Sequence, residues 1–245
     1  NFFIYFKMNK INKILVFTAT YNEKDNIKEL ISSIIENNSL VDLLIIDDNS
    51  PDKTSDEIEA LQVKYKNIFL IKRPGKLGLD TAHKEAYNFA INNNYEFLIT
   101  MDADLSHDPR EISKFIINLN QYPFVIGSRY MQGGKSLMQG HRLFMSKFGN
   151  KVIKFFLQID CNEFTTSFRG FNIKMLSKFH LKNVKTKGYS FFMGTLFEIN
   201  KCGYKIKEIP IIFKDREKGI SKIPKIELIR TLKNLFILTI KSKIL

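Results

Sequence analysis

Asp102 and Asp104 stand two residues apart in ITMDADLSHDP (99–109), where an apolar run gives out. Residues i and i+2 leaving a strand point to the same side, so both carboxylates can face one pocket. Two anions about 6 Å apart at an effective dielectric of about 20 repel by roughly 3 kcal/mol. A fold tolerates that most readily with a cation beside them. Oxygen-only ligands select Mg2+ or Mn2+, which take one or two carboxylates and complete their shell with substrate phosphates. Acid–base work and simple helix capping are the other uses of such a pair. Asp108, just before Pro109, suits the N-cap of a following helix. That leaves Asp102 and Asp104 for metal and diphosphate.

Three further polar clusters follow apolar runs: TYNE (20–23), DDNSPD (47–52) and GSRY (127–130). The runs KILVFTA (13–19), DLLIID (42–47), NIFLIK (67–72), EFLITMD (96–102) and FVIGS (124–128) have strand length and strand composition. Between them, 24–38, 54–66, 79–94 and 109–121 carry apolar residues at helical spacing, with Ile27, Leu30, Ile31, Ile34 and Ile35 on one face. Alternating strands and helices imply an α/β fold, a mainly parallel sheet with helices on both faces. Ligands of such sheets sit beyond the C-terminal strand ends, where these clusters fall. A Rossmann glycine fingerprint is missing after the first strand, and GKLG (75–78) lacks the spacing and Ser/Thr of a P-loop.

The net charge of +13 calls for a polyanionic partner, or reflects a lysine-rich background. Residues 205–245 hold eleven Lys/Arg against four Asp/Glu, so the tail supplies +7 of it. Two cysteines without a CxxC pair suggest a reducing compartment, and four scattered histidines argue against zinc. The opening NFFIYFKMNKINK lacks a signal-peptide layout, and Met8 is a candidate first residue. In the last stretch, LIRTLKNLFILTIKSKIL, basic residues interrupt what would otherwise approach a membrane span. Leu228, Leu232, Leu235 and Phe236 form an amphipathic stripe there, suited to an anionic membrane surface or to the protein's own core.

TYNEKDNI, IIDDNSPDKT, KLGLDTA, MDADLSHDP, GSRYMQGG, TTSFRGF, KGYSF and EIPIIFKDREKGISKI occur in this order. From about Lys13 to Lys222 the chain resembles the dolichyl-phosphate mannosyltransferase (polyprenol-phosphate mannose synthase) family of inverting GT-A glycosyltransferases. The resemblance implies a nucleotide-sugar donor, most often GDP-mannose, and a polyprenyl or dolichyl monophosphate acceptor at the cytoplasmic face of a membrane. It implies that Ala19, Tyr21, Glu23 and Asp48 line the donor pocket, and that Asp102 and Asp104 handle ribose, diphosphate and Mg2+ or Mn2+. Arg129, Arg142 and Arg216 would bind the donor and acceptor phosphates, with Ser146 and Lys222 beside them. Asp102, Asp104, Arg129 and Arg216 would carry the catalysis. Arginine suits this work because its fork matches phosphate oxygens.

The chain departs from the family pattern at several points. Ala19 replaces a proline, and Asp80 replaces a glycine as a candidate N-cap. Glu163 stands for an aspartate. Ser167 replaces a glycine, which brings strain if the backbone there has φ > 0. Phe192 and Gly194 stand where glutamine and glutamate are usual, with Glu198, one turn on, as a candidate substitute. The division expected is a GT-A domain over 1–222 and a basic amphipathic helix over 223–245. Peripheral attachment to the cytoplasmic face of a membrane is expected, with a membrane-spanning partner subunit as an option. A UDP-sugar donor, or a non-catalytic nucleotide-binding domain, are the competing readings. Nucleic acid is not an expected partner, because the basic residues lack the aromatic interleaving of an RNA-binding motif.

Overall fold

The computed structural model describes residues 13–215 and 226–244. In chain order these form β1 (Ile14–Thr20), α1 (Lys24–Asn37), β2 (Val41–Asp47), α2 (Thr54–Lys64), β3 (Ile68–Lys72), α3 (Leu79–Asn92) and β4 (Phe97–Asp102). There follow α4 (Ile112–Leu119), β5 (Phe124–Ser128), β6 (Lys135–Ser136), α5 (Gly140–Leu157) and β7 (Arg169–Asn172). The chain continues through α6 (Ser190–Lys201), β8 (Ile206–Pro210), β9 (Ile212–Phe213) and α7 (Ile226–Ile244). The first five strands and first four helices fall within a few residues of the expected runs. The last of those helices opens with a 3-10 turn at Pro109–Glu111.

The main sheet has seven strands in the order β3-β2-β1-β4-β7-β5-β8. β1 to β4 are mutually parallel, β7 runs antiparallel to β4 and β5, and β8 is parallel to β5. β1 pairs with β2 on one side and β4 on the other, so the strand order reverses beside it. The crevice at such a reversal is the usual ligand position of an open α/β sheet.

Period-2 alternation divides the strand residues between two cores. Ile14, Val16, Leu43 and Ile45 join α1 and α4 on one face, through Ile27, Leu30, Ile112 and Phe115. Leu15, Phe17, Leu44 and Ile46 join α3, α5, α6 and α7 on the other, through Tyr87, Ile153, Phe191 and Leu235. Covering on both faces explains why β1 and β2 are apolar nearly throughout.

β7 is the element the hydrophobic pattern does not announce. Its sequence RGFN contains Arg169, which is fully buried. The guanidinium donates to the carbonyls of Thr166 (2.8 Å), Phe192 (2.7 Å) and Phe164 (3.0 Å). Burial pushes its pKa down to about 9, with Cys161 and Glu163 pulling it back up, so it remains a cation at neutral pH. This tie fastens the 164–166 loop to the start of α6, and both border the site described next.

α7 packs on α5 and α6, with Leu235 and Leu238 buried. The stripe therefore divides between its two expected uses: Leu235 packs into the protein's own core, while Leu228, Leu232 and Phe236 stay exposed. The expected division at 222/223 falls outside the described residues, as do Arg216 and Lys222. Among the described residues no helix is long and apolar enough to cross a membrane.

Candidate active site

A cavity of about 540 Å³ opens at the C-terminal ends of β1, β2 and β4. Ala19, Tyr21 and Glu23 line it from β1 and the start of α1, Asp48 from beyond β2, and Asp102 and Asp104 from β4 and its loop. Every residue expected to line the donor pocket thus borders one space. Register accounts for part of this, because Ala19 and Asp102 are partners across β1 and β4.

Side chains of the DDNSPD loop shape the wall. Asp47 is buried and accepts from Thr20 Oγ1 (2.8 Å), Ser50 N (2.9 Å) and Ser55 Oγ (2.9 Å). Ser50 and Thr54 hydroxyls accept from the amides of Asn22 (2.9 Å) and Glu23 (3.0 Å), and Asp52 accepts from Lys24 N (3.1 Å). These bonds satisfy amides at the start of α1 that lack helical partners. Asn22 and Asn49 take φ of 59° and 57°, a left-handed conformation asparagine tolerates well. Asp47 and Asp52 are therefore scaffolding, while Asp48 faces the cavity. Asp48 also accepts from Arg73 Nε (2.5 Å) and Gly78 N (3.2 Å), which fixes its carboxylate and the 76–80 segment together.

The DAD segment is held from below. Asp102 N donates to His107 Nδ1 (3.1 Å), and Asp104 Oδ1 accepts from Ser106 N (3.2 Å) and Oγ (2.5 Å). Leu105 turns at φ 62°, a conformation a branched residue adopts only under constraint. His107 is buried, with Nε2 3.2 Å from Thr166 Oγ1. Burial holds its pKa below the usual histidine range, against the pull of Asp102 and Asp104, so it stays neutral and accepts at Nδ1. Asp108 accepts from Arg110 N (3.0 Å) and begins the 3-10 turn, the capping role expected of it.

The donor set fits a hard divalent cation that relies on its substrate. Among the described residues no group of three or more His, Cys, Asp or Glu forms a complete metal cage. Two oxygen-bearing side chains at a cavity wall leave most positions for diphosphate and water, as Mg2+ and Mn2+ prefer.

The residues expected on the acceptor side are arranged differently. Arg129 is buried and forks onto Glu163, Nε to Oε2 at 2.7 Å and Nη2 to Oε1 at 2.8 Å, with Nη2 also 2.8 Å from Thr165 Oγ1. Arg129 holds Glu163 in its charged form despite complete burial. Arg129 is not a wall residue of the larger cavity, whereas its partner Thr165 is. It borders instead a second cavity of about 390 Å³ with Tyr130, Asn150, Lys147, Lys151 and Lys154. Ser146 accepts from Tyr130 Oη (2.6 Å), and Arg142 pairs with Asp215 at 2.9 Å on the surface.

Several expectations about the departures need correction. Asp80 is not an N-cap: Gly78 precedes α3 at φ 99°, and Asp80 lies in the first turn, accepting from Gly188 N (3.1 Å). Ser167 does not adopt positive φ, so no strain arises there. Glu198 sits late in α6 and does not line the cavity, so it does not replace the missing glutamate. Phe192 does line it. Gly194 is pressed by Thr186, whose Oγ1 would lie 2.0 Å from any added Cβ, so that space is filled by Thr186.

Sequence reasoning missed Lys76, Lys187, Glu227 and Arg230, all on the cavity wall. Lys187 opens the quoted KGYSF motif, and Lys76 sits with its ammonium 4.0 Å from the Tyr21 ring centre. Glu227 and Arg230 lie in a stretch whose sequence was read for its apolar stripe and for the basic residues that interrupt it, neither of which points to a cavity.

Comparison with known proteins bears on this geometry. The chain is 31% identical over 214 residues to a polyprenol monophosphomannose synthase of Mycolicibacterium smegmatis, covering 86% of this chain and 81% of that one. It is 28% identical over 212 residues to an undecaprenyl-phosphate mannosyltransferase of Micrococcus luteus, covering 86% and 87%. A glucosyl-3-phosphoglycerate synthase from Mycobacterium tuberculosis, solved with Mn2+, UDP and glucosyl-3-phosphoglycerate, shares the fold with a TM-score of 0.65 at 16% identity, over 94% of this chain and 80% of that one. A mannosyltransferase from Pyrobaculum calidifontis, solved with GDP-Man and Mn2+, does so with a TM-score of 0.60 at 18% identity, over 94% and 64%. The fold is therefore that of GT-A glycosyltransferases. The profile described as glycosyl transferase family 2 matches residues 15–180, which contain the DAD segment and the strands that carry it, and the chain belongs to that family.

Proposed function

We propose that this glycosyltransferase moves a hexose, mannose from GDP-mannose in the first instance, onto a polyprenyl monophosphate. The observation that carries the reading is the meeting of Asp102, Asp104, Tyr21, Glu23 and Asp48 around one cavity at the sheet's switch point. The two curated relatives, named for mannosyl transfer to polyprenyl phosphates, supply the substrate class.

Asp102 and Asp104 would hold Mg2+ or Mn2+, which when bound neutralises charge building on the leaving diphosphate. Tyr21, Glu23 and Asp48 orient the nucleoside, so the anomeric carbon is presented in line with the acceptor. A monophosphate has its second pKa at about 6 and needs no strong general base at neutral pH. An acceptor phosphate oxygen forms the new bond to the anomeric carbon as the bond to the diphosphate breaks. The nucleoside diphosphate leaves with the electron pair, and the anomeric configuration inverts. Arg129, Arg142, Ser146, Arg216 and Lys222 are assigned to the phosphates. Arg129 would act from its clamp on Glu163 through any donor hydrogens that clamp leaves over.

A membrane-bound acceptor requires a surface at the bilayer. α5 exposes Phe144, Phe148, Phe155 and Phe156, and its neighbour α7 exposes Leu228, Ile229, Leu232 and Phe236. Lys147 and Lys151 on α5, and Lys233 and Lys241 on α7, are exposed on the same helices. Apolar area bordered by lysine suits an anionic cytoplasmic leaflet, and supports peripheral attachment there.

Thermal denaturation with GDP, UDP or ADP, with and without Mn2+, tests the donor half. The expected result is a rise in melting temperature with GDP and Mn2+ together, lost in Asp104→Ala. Selectivity for UDP would transfer the reading to a UDP-sugar donor. No metal-dependent shift with any nucleotide would overturn it.

A further inference from the structure

α7 has two faces that the amphipathic stripe does not explain. At its first turn Glu227 is buried, although it is a glutamate near a helix end and belongs to none of the quoted motifs. Glu227 and Arg230 both line the larger cavity, which Asp102 and Asp104 also line. Glu227 Oε2 accepts from Tyr189 N at 3.1 Å, and Oε1 pairs with Arg230 Nη1.

The 187–190 segment is built around this contact. Gly188 has φ 59°, and a Cβ there would lie 2.4 Å from Glu227 Oε2 and 3.1 Å from Arg230 Nη1. Gly188 N donates to Asp80 Oδ1 (3.1 Å), and Asn234 Nδ2 donates to Ser190 Oγ (2.6 Å). A continuous set of bonds thus runs from Asp80 through Gly188–Ser190 to Glu227 and Asn234. Asp48 enters the same wall through Gly78 (3.2 Å). Glu227 therefore holds two things at once, a loop amide and a guanidinium at the cavity.

Glu23, Asp48, Asp80, Asp102, Asp104 and Glu227 place six carboxylates on the wall, against three cations, Lys76, Lys187 and Arg230. A dianionic diphosphate in such a space requires cations on the side away from the metal-binding pair. Lys76 rests over the Tyr21 ring. Arg230 is held by a carboxylate at Nη1, is 44% exposed, and keeps further N–H groups in a fixed fork for phosphate oxygens.

We propose that Arg230, positioned by Glu227, binds the diphosphate of the nucleotide donor, so that the C-terminal helix forms part of the donor site. The inference rests on the donor reading above and adds a residue to it. It also links the apolar face of α7 to the reaction, because the helix proposed to meet the bilayer supplies two residues of the cavity wall.

Titration calorimetry of nucleoside diphosphate with Mn2+ tests it on wild type, Arg230→Ala, Arg230→Lys and Asp104→Ala. The diphosphate found to bind wild type is used without a sugar, so that hydroxyl contacts do not enter. Loss of a charge-assisted bond predicts about tenfold weaker binding in Arg230→Ala and partial recovery in Arg230→Lys. Glu227 keeps its bond from Tyr189 N in these variants, and a cooperative ligand-free melting transition in each shows that it is folded. Equal binding by wild type and Arg230→Ala, with Asp104→Ala impaired, overturns the role of Arg230 and leaves the donor site standing. A parallel titration with the corresponding sugar nucleotide completes the test: weaker binding by Arg230→Ala there but not with the diphosphate also overturns it, assigning Arg230 to the sugar. Absence of diphosphate binding by folded wild type overturns the donor reading itself, and this inference with it.

Discussion

At the scale of single residues, the site separates side chains that face the cavity from those that hold them. Asp47 and Asp48 are adjacent and chemically identical, yet one is sealed by Thr20, Ser50 and Ser55 while the other lines the cavity. Sequence spacing singled out Asp102 and Asp104, but β4 ends at Asp102, and Asp104 reaches the cavity from a loop in which Ser106 holds it. It did not distinguish Arg129 as a partner of Glu163, since a buried ion pair 34 residues apart leaves no local signal. His83 is another residue whose setting only the fold reveals. Its ring lies 5.1 Å from Phe17 and 5.2 Å from Phe192, both edge-on, and burial pushes its pKa down to about 3. The nearby Arg169 charge acts in the same direction. The folded pKa lies below the unfolded value of 6.5, so the stabilisation from neutral His83 is complete above that pH. It is lost as pH falls from 6.5 toward about 3. Between pH 7 and pH 5, His83→Phe should lose about 2 kcal/mol less stability than wild type in urea unfolding. Parallel pH profiles for the two proteins would contradict this.

At the scale of elements, the parallel half of the sheet and β5 were legible, and β6 to β9 were not. β1, β2 and β4 bury residues on both faces, so each reads as a continuous apolar run between polar loops, while the edge strand β3 buries only Ile68 and is read from its composition. β7 has only four residues, with a buried arginine and a glycine, and β6 and β9 have two each. Such strands are specified by their neighbours rather than by periodicity. α6 shows the same dependence. Gly194 lets Thr186 approach, and the space where the related family carries glutamate is closed. Gly194→Ala should therefore destabilise the protein by about 1–3 kcal/mol, the usual cost of overpacking. Adding Thr186→Ala should recover most of that loss in the same unfolding experiment. Additive losses in the double variant would mean that Thr186 is not the obstacle. Glu198, though one turn away in sequence, cannot substitute because α6 carries it away from the cavity wall.

At the scale of the molecule, a chain of net charge +13 places the cavity proposed for the donor at the switch point of the sheet, with α7, which has an exposed apolar face, at its border. The charge and the C-terminal stripe were visible in the sequence. The contribution of α5 was not, because its phenylalanines are indistinguishable from core residues until Phe155 is seen 76% exposed. Phe236 on α7 is 68% exposed. Wild type should co-sediment with anionic phospholipid vesicles, less so at high salt, and Phe155→Ser with Phe236→Ser should weaken retention several-fold without changing the melting temperature. Unchanged retention in the double variant would move the contact elsewhere, or to a membrane-spanning partner. The central claim is that the cavity around Asp102 and Asp104 transfers a sugar to a lipid phosphate. Its most direct test is a transfer assay with radiolabelled GDP-mannose, Mn2+ and a polyprenyl monophosphate in vesicles, using wild type and Asp104→Ala. Wild type should yield labelled, mild-acid-labile glycolipid, with a loss of about a hundredfold or more in the variant, in keeping with removal of a metal-borne electrostatic contact. No glycolipid from active-folded wild type with GDP-mannose or any UDP-hexose, or equal product from Asp104→Ala, would contradict it.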